Sequence, residues 1–174
     1  AKVHDGIERV SVSSLGVEGD ENSYFPSISS SGRYVAFKSY ATNLVAGDTN
    51  GVEDIFVYDR TLNTIERISV SSDEVEADAG SENPTISADG NYVVFASTAT
   101  NLVADDTNGI SDIFLRNISA GTTTRISVDD DGVEGDGESY NPTISSDGQY
   151  ISFISSATNL VENDTNALPD VFLY

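Results

Sequence analysis

The chain has 174 residues, of which 29 are Asp or Glu and only 8 are Lys or Arg, so its formal net charge is −21. This acidic excess excludes the basic patches that proteins use to neutralise nucleic-acid phosphates, and it disfavours anionic membrane surfaces. The sequence has no cysteine and no apolar run near the roughly 20 residues of a membrane-spanning helix, so we expect neither disulfides nor membrane insertion.

The whole sequence repeats with a period of 58 residues. The segment NLVAGDTNGVEDIF at residues 43–56 returns as NLVADDTNGISDIF at 101–114 and as NLVENDTNALPDVF at 159–172. Such a period is typical of architectures in which each unit packs on its neighbours. We therefore divide the chain into three repeats, at residues 1–58, 59–116 and 117–174. One arginine recurs at the same step: Arg9, Arg67 and Arg125.

Each repeat contains the same predicted strands. In the first full unit, residues 25–29 form a short extended run, and a hairpin turn links them to the apolar run at 34–37. A third strand is predicted at 54–58, and the alternating pattern at 65–70 indicates an outer strand. No segment has convincing helical periodicity, so the sequence predicts an all-β fold of four-stranded antiparallel units.

The segments PTISADGNYVVFAS, DIFVYDR and TIERISV resemble a blade of the TolB-like β-propellers, the PD40-repeat family. The resemblance covers the chain three times and implies β-propeller-type blades of four antiparallel strands. It implies little about function, because such blades serve many roles. The usual blade has roughly 40 residues, and the extra length here resembles a long variant found in secreted bacterial proteins.

The predicted strands are offset relative to the blades. An outer-type strand at residues 7–12 precedes the first blade, and a third-type strand at 170–174 ends the last one. Propellers have about four to eight blades, so three are too few to close a ring. We expect copies of the chain to complete one another's blades, in a six-bladed ring or an open fibre; excision from a longer array is the alternative.

Three acidic turns, at residues 48–54, 106–112 and 164–170, are candidate cation sites. Aspartate and asparagine oxygens at offsets 0, 2 and 6 can converge on one hard cation if the turn is tight, and Ca²⁺ takes such ligands. Turn stabilisation by the same side chains is an equally weighted interpretation. The candidate ligands are Asp48, Asn50, Asp54, Asp106, Asn108, Asp112, Asp164, Asn166 and Asp170.

A second set of acidic residues precedes each blade. It could hold another cation, but a solvated acidic loop is the favoured interpretation. Its members are Glu18, Asp20, Glu21, Glu76, Asp78, Glu134, Asp136 and Glu138.

Catalysis is not expected, because every prominent carboxylate recurs with the repeat, whereas a catalytic site normally needs one asymmetric constellation. His4 is the only histidine and has no visible partner. Tyr24, Tyr40 and Tyr140 could stack on a sugar, but they do not recur evenly, so we favour aromatics that cover the sheet edge.

The sequence therefore predicts a non-catalytic extracellular or cell-surface assembly module that is stabilised by Ca²⁺, with the periplasm as the second choice of location. The alternatives are a TolB-like propeller that binds a protein or glycan, and a propeller hydrolase. We expect a core between the blades, formed by Ile28, Val35, Phe37, Ile55, Phe56 and their equivalents 58 and 116 residues later.

Overall fold

The computed structural model describes residues 6–166 and 168–174, so His4 lies outside the described residues. The described chain contains eleven strands, and none of its residues forms a helix long and apolar enough to cross a membrane. The strands are β1 (Ser23–Ile28), β2 (Tyr34–Ser39), β3 (Asp54–Asp59), β4 (Thr64–Arg67), β5 (Ser81–Ile86), β6 (Tyr92–Ser97), β7 (Asp112–Asn117), β8 (Thr122–Arg125), β9 (Ser139–Ile144), β10 (Ile151–Ser155) and β11 (Asp170–Leu173).

The strands form three antiparallel sheets in which chain neighbours pair in order: β1-β2-β3-β4, β5-β6-β7-β8 and β9-β10-β11. Each sheet is one propeller-type blade, which confirms the all-β prediction and the order of its strands. The third blade has three strands among the described residues, as the offset of the predicted strands implied. In each blade a phenylalanine pair packs across the second and third strands. In the first blade the pair is Phe37 and Phe56, whose ring centroids are 6.0 Å apart.

The first strands of the three blades lie side by side, since β1 contacts β5 and β5 contacts β9. Each of these strands has a register shift against its neighbour. The shift coincides with left-handed backbone at Phe25, Asn83 and Asn141, with φ of 53°, 53° and 51°. Asn83 Nδ2 also donates to Asn141 Oδ1 at 3.2 Å. The inner strands are therefore bent where the blades converge.

The cores lie between blades, as expected. Ala36 and Val57 of the first blade pack in one buried cluster with Val93, Phe95 and Phe114 of the second. The opposite face of the second blade forms an equivalent cluster with the third. The sheet faces that lie between two blades therefore lose their water by contact with the next blade, which is how repeat proteins obtain their stability.

The core prediction is wrong at both ends of the array. Ile28 is 61% exposed although its equivalent Ile86 is 8% exposed, and Val171 is 76% exposed although Ile113 is fully buried. We expected the same burial at equivalent positions of all three repeats. Among the described residues, however, no blade covers the outer faces of the first and third sheets. Val35 and Phe37 are buried, but by neighbouring segments that include Val10, Val12 and Val45.

The predicted outer strand at residues 7–12 is also wrong for the described residues of that segment. Only Val12 pairs there, in an isolated bridge with Glu18. The same bridge recurs between Val70 and Glu76 after β4. The difference is that β4 has β3 as a neighbour, whereas residues 7–12 have no sheet edge beside them.

Candidate cation site in the acidic turns

Asp54 opens β3 and is fully buried at the base of the first acidic turn. Its Oδ1 accepts a hydrogen bond of 2.5 Å from Ser69 Oγ, and its Oδ2 accepts one of 3.1 Å from Asn50 Nδ2. Ser69 Oγ in turn accepts from the backbone N–H of Ile55 at 3.1 Å. Both oxygens of this candidate ligand therefore accept hydrogen bonds within the fold. Burial raises its pKa, an effect that these hydrogen bonds and the nearby Arg67 oppose.

Arg67, at the end of β4, places its guanidinium among three carboxylates. Its Nη1 lies 2.7 Å from Glu76 Oε2 and 3.5 Å from both Asp48 Oδ1 and Asp54 Oδ2. Glu76 also accepts hydrogen bonds from the backbone and hydroxyl of Thr49, and the hydroxyl bond is the main cause of its lowered pKa. The turn, the outer strand and the next loop are thus tied together.

The second repeat builds the same cluster around Arg125. Arg125 Nη1 lies 2.8 Å from Glu134 Oε2 and 3.7 Å from oxygens of Asp106 and Asp112. One oxygen from each of these three carboxylates lies within 4.8 Å of the others. Because Ca²⁺ binds oxygens at 2.3–2.6 Å, two of its ligands can be at most about 5 Å apart. The carboxylates are therefore close enough to share one cation.

Asp106 is the least satisfied member of this cluster. The residue is buried, and neither of its carboxylate oxygens has a hydrogen-bond partner. Burial, with a contribution from the charge of Asp112, raises its pKa to about 6. Asp48 repeats this behaviour, with an unpartnered Oδ1 and a pKa raised to about 6 by burial.

The asparagines take part in the hydrogen bonding of the turn itself. Asn50 Oδ1 accepts from the backbone N–H of Val52 at 3.1 Å, while its Nδ2 donates to Asp54. Asn108 and Asn166 make the equivalent pairs of bonds. Each asparagine oxygen is therefore used inside the turn, as in an Asx turn. Glu76 and Glu134 take the third carboxylate positions instead.

The third acidic turn, at residues 164–170, lies beside an open cleft. Asn166 Nδ2 donates to Asp170 Oδ2 at 3.1 Å, but Asp164 Oδ1 is buried without a hydrogen-bond partner. Among the described residues no arginine contacts this turn. A cleft of about 520 Å³, which includes Asp164 and Asp170 in its lining, lies where the first two blades hold Arg67 or Arg125.

The second acidic set divides between two structural roles. Asp20 accepts from the backbone and hydroxyl of Thr42 at 2.8 and 3.0 Å, and so braces two loops. Asp78 and Asp136 do the same with later threonines. Glu76 and Glu134 belong to the arginine clusters, and Glu18 pairs with Arg9. The set therefore does not form one separate site.

The tyrosines do not form a common sugar-binding pocket. Tyr40 packs over buried Lys38, whose Nζ is 5.4 Å from the ring centroid. Lys38 Nζ also lies 3.8 Å from Glu53 and 3.8 Å from Glu82. Tyr140 instead lines a separate cleft of about 490 Å³ with Glu53, Glu82 and Glu138. Sequence reasoning missed Lys38, because nothing in the repeat pattern indicates a buried cation at that position.

Sequence reasoning also missed the arginines as site residues, although their 58-residue spacing was the available signal. Arg67 and Arg125 recur in step with the aspartates. The period alone cannot show that an outer strand and a distant turn meet in space. The structure supplies that contact across β3 and β4.

The chain matches no protein-family model and no curated protein. Solved structures with a similar fold include a TolB-type protein from Agrobacterium tumefaciens (TM-score 0.56, 18% identity, 87% of this chain and 45% of that one). TolB from Acinetobacter baumannii is also similar, with a TM-score of 0.52 and 17% identity over 88% of this chain and 30% of that one. A prolyl endopeptidase has a TM-score of 0.52 and 16% identity over 98% of this chain and 23% of that one. The chain thus spans less than half the length of these proteins, and it shares the fold of TolB-like β-propellers.

Proposed function

We propose that this array of TolB-like propeller blades is a non-catalytic structural module that associates with copies of itself. We place it outside the cell or on the cell surface, with the periplasm as the alternative location. The fold itself does not select this function, since it is shared with TolB and with a prolyl endopeptidase. The proposal rests on the two outer faces of the array.

The observation that carries the proposal is the exposure of residues whose equivalents are buried between blades. Val171 and Leu173 on β11 are 76% and 72% exposed, whereas Ile55 and Val57 at the same positions of β3 are buried. Ile28 is exposed on the opposite outer face. Apolar surface of this kind is typical of interaction sites. The two outer faces are the repeat equivalents of faces that pack together inside the array, so we propose that one copy stacks on the next.

The open edge of the third sheet, at β11, also supports association of the third blade of one copy with the first blade of the next. Within the described residues, β11 pairs only with β10 and has no neighbour on its other side. Residues 7–12 have the sequence type of the fourth strand in the first two blades. A contact between two different surfaces repeats from copy to copy and closes into a ring or continues as a filament, according to the rotation it imposes.

Deletion of residues 7–12 tests this proposal. The full chain should form rings or filaments by negative-stain electron microscopy, while the deleted chain should be monomeric by light scattering and still fold by circular dichroism. An unchanged assembly size would refute completion of the third blade by this segment.

We also propose that the clusters at Asp48 and Asp106 bind Ca²⁺. Three carboxylates and one guanidinium leave each ionised cluster with a net charge of −2, which a divalent cation would balance. Asp106 and Asp48 have buried oxygens that accept no hydrogen bond, although an arginine nitrogen lies 3.7 and 3.5 Å away, and these oxygens would ligate it. The asparagines are not part of this ligand set, but they hold the aspartates in place.

Isothermal titration with CaCl₂ after chelator treatment tests the cation proposal. Asp106→Asn should abolish binding at the second cluster, whereas Asp105→Asn at the exposed neighbouring residue should leave it unchanged. Equal binding by both variants, or no heat with the wild-type chain, would contradict calcium binding at Asp106.

A binding module for another protein or a glycan is the second candidate. The cleft lined by Glu53, Glu82, Glu138 and Tyr140 favours it, because this combination occurs once in the described chain and not in step with the repeat. Lys38 lies 3.8 Å from Glu53 and Glu82 and balances part of their charge, so Glu138 and Tyr140 are the groups that suit a cationic peptide side chain. A screen of basic peptides against the wild-type chain and Tyr140→Ala would test this alternative.

A further inference from the structure

The cleft of the third blade can be compared with the equivalent positions of the first two blades. It runs beside β11 and is lined by residues 161–166 and 170–173. Thr165 and Asp170 in this lining are the equivalents of Thr49 and Asp54 in the first blade. In the first blade Asp54 is fully buried and Thr49 is hydrogen-bonded to Glu76, so the occupant of the cleft can be inferred from its counterpart there.

In the first two blades the occupant is an arginine with a glutamate nine residues later. Arg67 and Glu76 form an ion pair of 2.7 Å, and Arg125 and Glu134 one of 2.8 Å. In each case the arginine comes from the outer strand and the glutamate from the following loop. A backbone bridge, Val70 to Glu76 in the first case, fixes the glutamate beside the strand.

The same unit exists at the other end of the array without a turn to enclose it. Arg9 and Glu18 are nine residues apart and form an ion pair, and Val12 bridges Glu18 through the backbone. Both charged side chains are largely exposed to solvent. The unit is therefore assembled in the folded chain before any partner binds.

We infer that the Arg9–Glu18 unit of a second copy of this chain binds in the cleft beside Asp164 and Asp170. The inference rests on the self-association proposed above and assigns its contact residues. The register follows from the first blade, where Phe56 lies opposite Arg67 and Val57 opposite Glu66. Phe172 then lies opposite Arg9 of the second copy, and Leu173 opposite Glu8 of the second copy.

This placement provides partners for polar groups beside the cleft, among them a buried carboxylate oxygen that has no hydrogen-bond partner in the single chain. Arg9 of the second copy brings positive charge to Asp164, whose Oδ1 is buried without a hydrogen-bond partner. Thr165 takes the role of Thr49, whose backbone N–H and hydroxyl donate to Glu76, and donates to Glu18 of the second copy. A buried carboxylate gains most from such a partner, because the alternative is an unpaired charge.

The hairpin ends of the blades fit the same arrangement. Ser30 N donates to Ala88 O at 3.2 Å, and Ala88 N donates to Ser146 O at 3.0 Å. The next donor in this series is Ser146 N, and the matching acceptor is the carbonyl of Ser30 in the second copy. Two separate regions of the outer faces therefore predict the same neighbour and orientation.

The test uses two charge-reversal variants of the full chain. Arg9→Glu blocks the Arg9 end, and Asp170→Arg blocks the cleft end. Each variant alone should be monomeric, with self-association weakened about 30-fold or more, as expected when one partner of a buried ion pair is lost. Mixed at equal concentrations, each supplies the intact end that the other lacks, so one-to-one dimers should appear in sedimentation velocity.

Asp73→Arg reverses a charge at an exposed position elsewhere and is the matched control; it should assemble like the wild type. Asp170→Asn serves as a milder variant if Asp170→Arg lowers the melting temperature. Assembly of Arg9→Glu at wild-type affinity would overturn this docking while leaving self-association intact. A wild-type chain that stays monomeric would overturn the proposed function, and this inference with it.

Discussion

The ring of Tyr34 leaves no space for a side chain at Gly90 of the next blade, where a Cβ atom would lie 2.0 Å from Tyr34 Cδ2. The same relationship recurs between Tyr92 and Gly148, at 2.8 Å. Gly90 has a φ of 81°, which suits glycine independently of the ring. The tyrosine of one blade thus packs on the hairpin of the next and helps to set the spacing between them.

Gly90→Ala should therefore destabilise the fold more than Gly32→Ala does. Both glycines occupy the same hairpin position with positive φ, but a Cβ on Gly32 would meet no atom closer than 3.8 Å. The shared backbone strain cancels in the comparison, and the remaining difference should be about 1–3 kcal/mol in the free energy of unfolding. Urea denaturation measures this difference. Equal losses in the free energy of unfolding would show that the Tyr34 ring moves aside without destabilising the fold.

Removing Arg125 should be much more damaging than removing Arg9. Arg125→Ala leaves buried Asp106 and Asp112 without their cation, a change that costs about 3–5 kcal/mol for a buried pair. Arg9 and Glu18 are exposed, so Arg9→Ala should cost about 0–1 kcal/mol when measured on the monomer. Chemical denaturation of both variants at low protein concentration makes the comparison. Similar losses would mean that Arg125 has little role in stability.

The stability of the chain without calcium should fall as pH rises from 4 to 7. Burial raises the pKa of Asp48 and Asp106 to about 6 in the folded chain, against about 4 for an unfolded aspartate. A raised folded-state pKa gives a contribution to stability that is complete below pH 4 and is lost as pH passes 6. The melting temperature of the Asp48→Asn/Asp106→Asn variant should show less of this decline.

Calcium should reverse that loss, because it binds the ionised carboxylates. The rise in melting temperature on adding CaCl₂ should therefore be larger at pH 7.5 than at pH 5. Magnesium chloride at equal ionic strength is the control for charge screening. A calcium effect of the same size at both pH values would contradict ligation by Asp48 and Asp106.

Val171→Glu should weaken association without destabilising the monomer. Val171 is exposed on the outer face of the third blade, so a charge there should change the free energy of unfolding by no more than about 0.5 kcal/mol. Val75→Glu, at an exposed valine away from that face, is the matched control. Sedimentation should show a shift toward monomer for Val171→Glu alone; an equal shift for both variants would indicate a nonspecific charge effect.

The repeated features of the fold could be predicted from the sequence, because a 58-residue period fixes the order of strands and hairpins three times over. Burial at Ile28 and Val171 could not, since it depends on a neighbouring blade and not on the residue's own pattern. Oxygens of Asp106 and Asp112 lie within 4.8 Å of each other and of Glu134, and cation binding there stays a prediction. The role of Arg67 in the equivalent cluster of the first repeat was missed, because it depends on contacts between an outer strand and a turn that lie apart in the sequence.

The central claim is that the outer faces of the first and third blades bind one another. Sedimentation velocity of the intact wild-type chain, over about two decades of concentration in calcium-containing buffer, tests it most directly. We predict species at whole-number multiples of the monomer mass that grow with concentration or stop at one closed size. A single monomeric species at every concentration would contradict the claim.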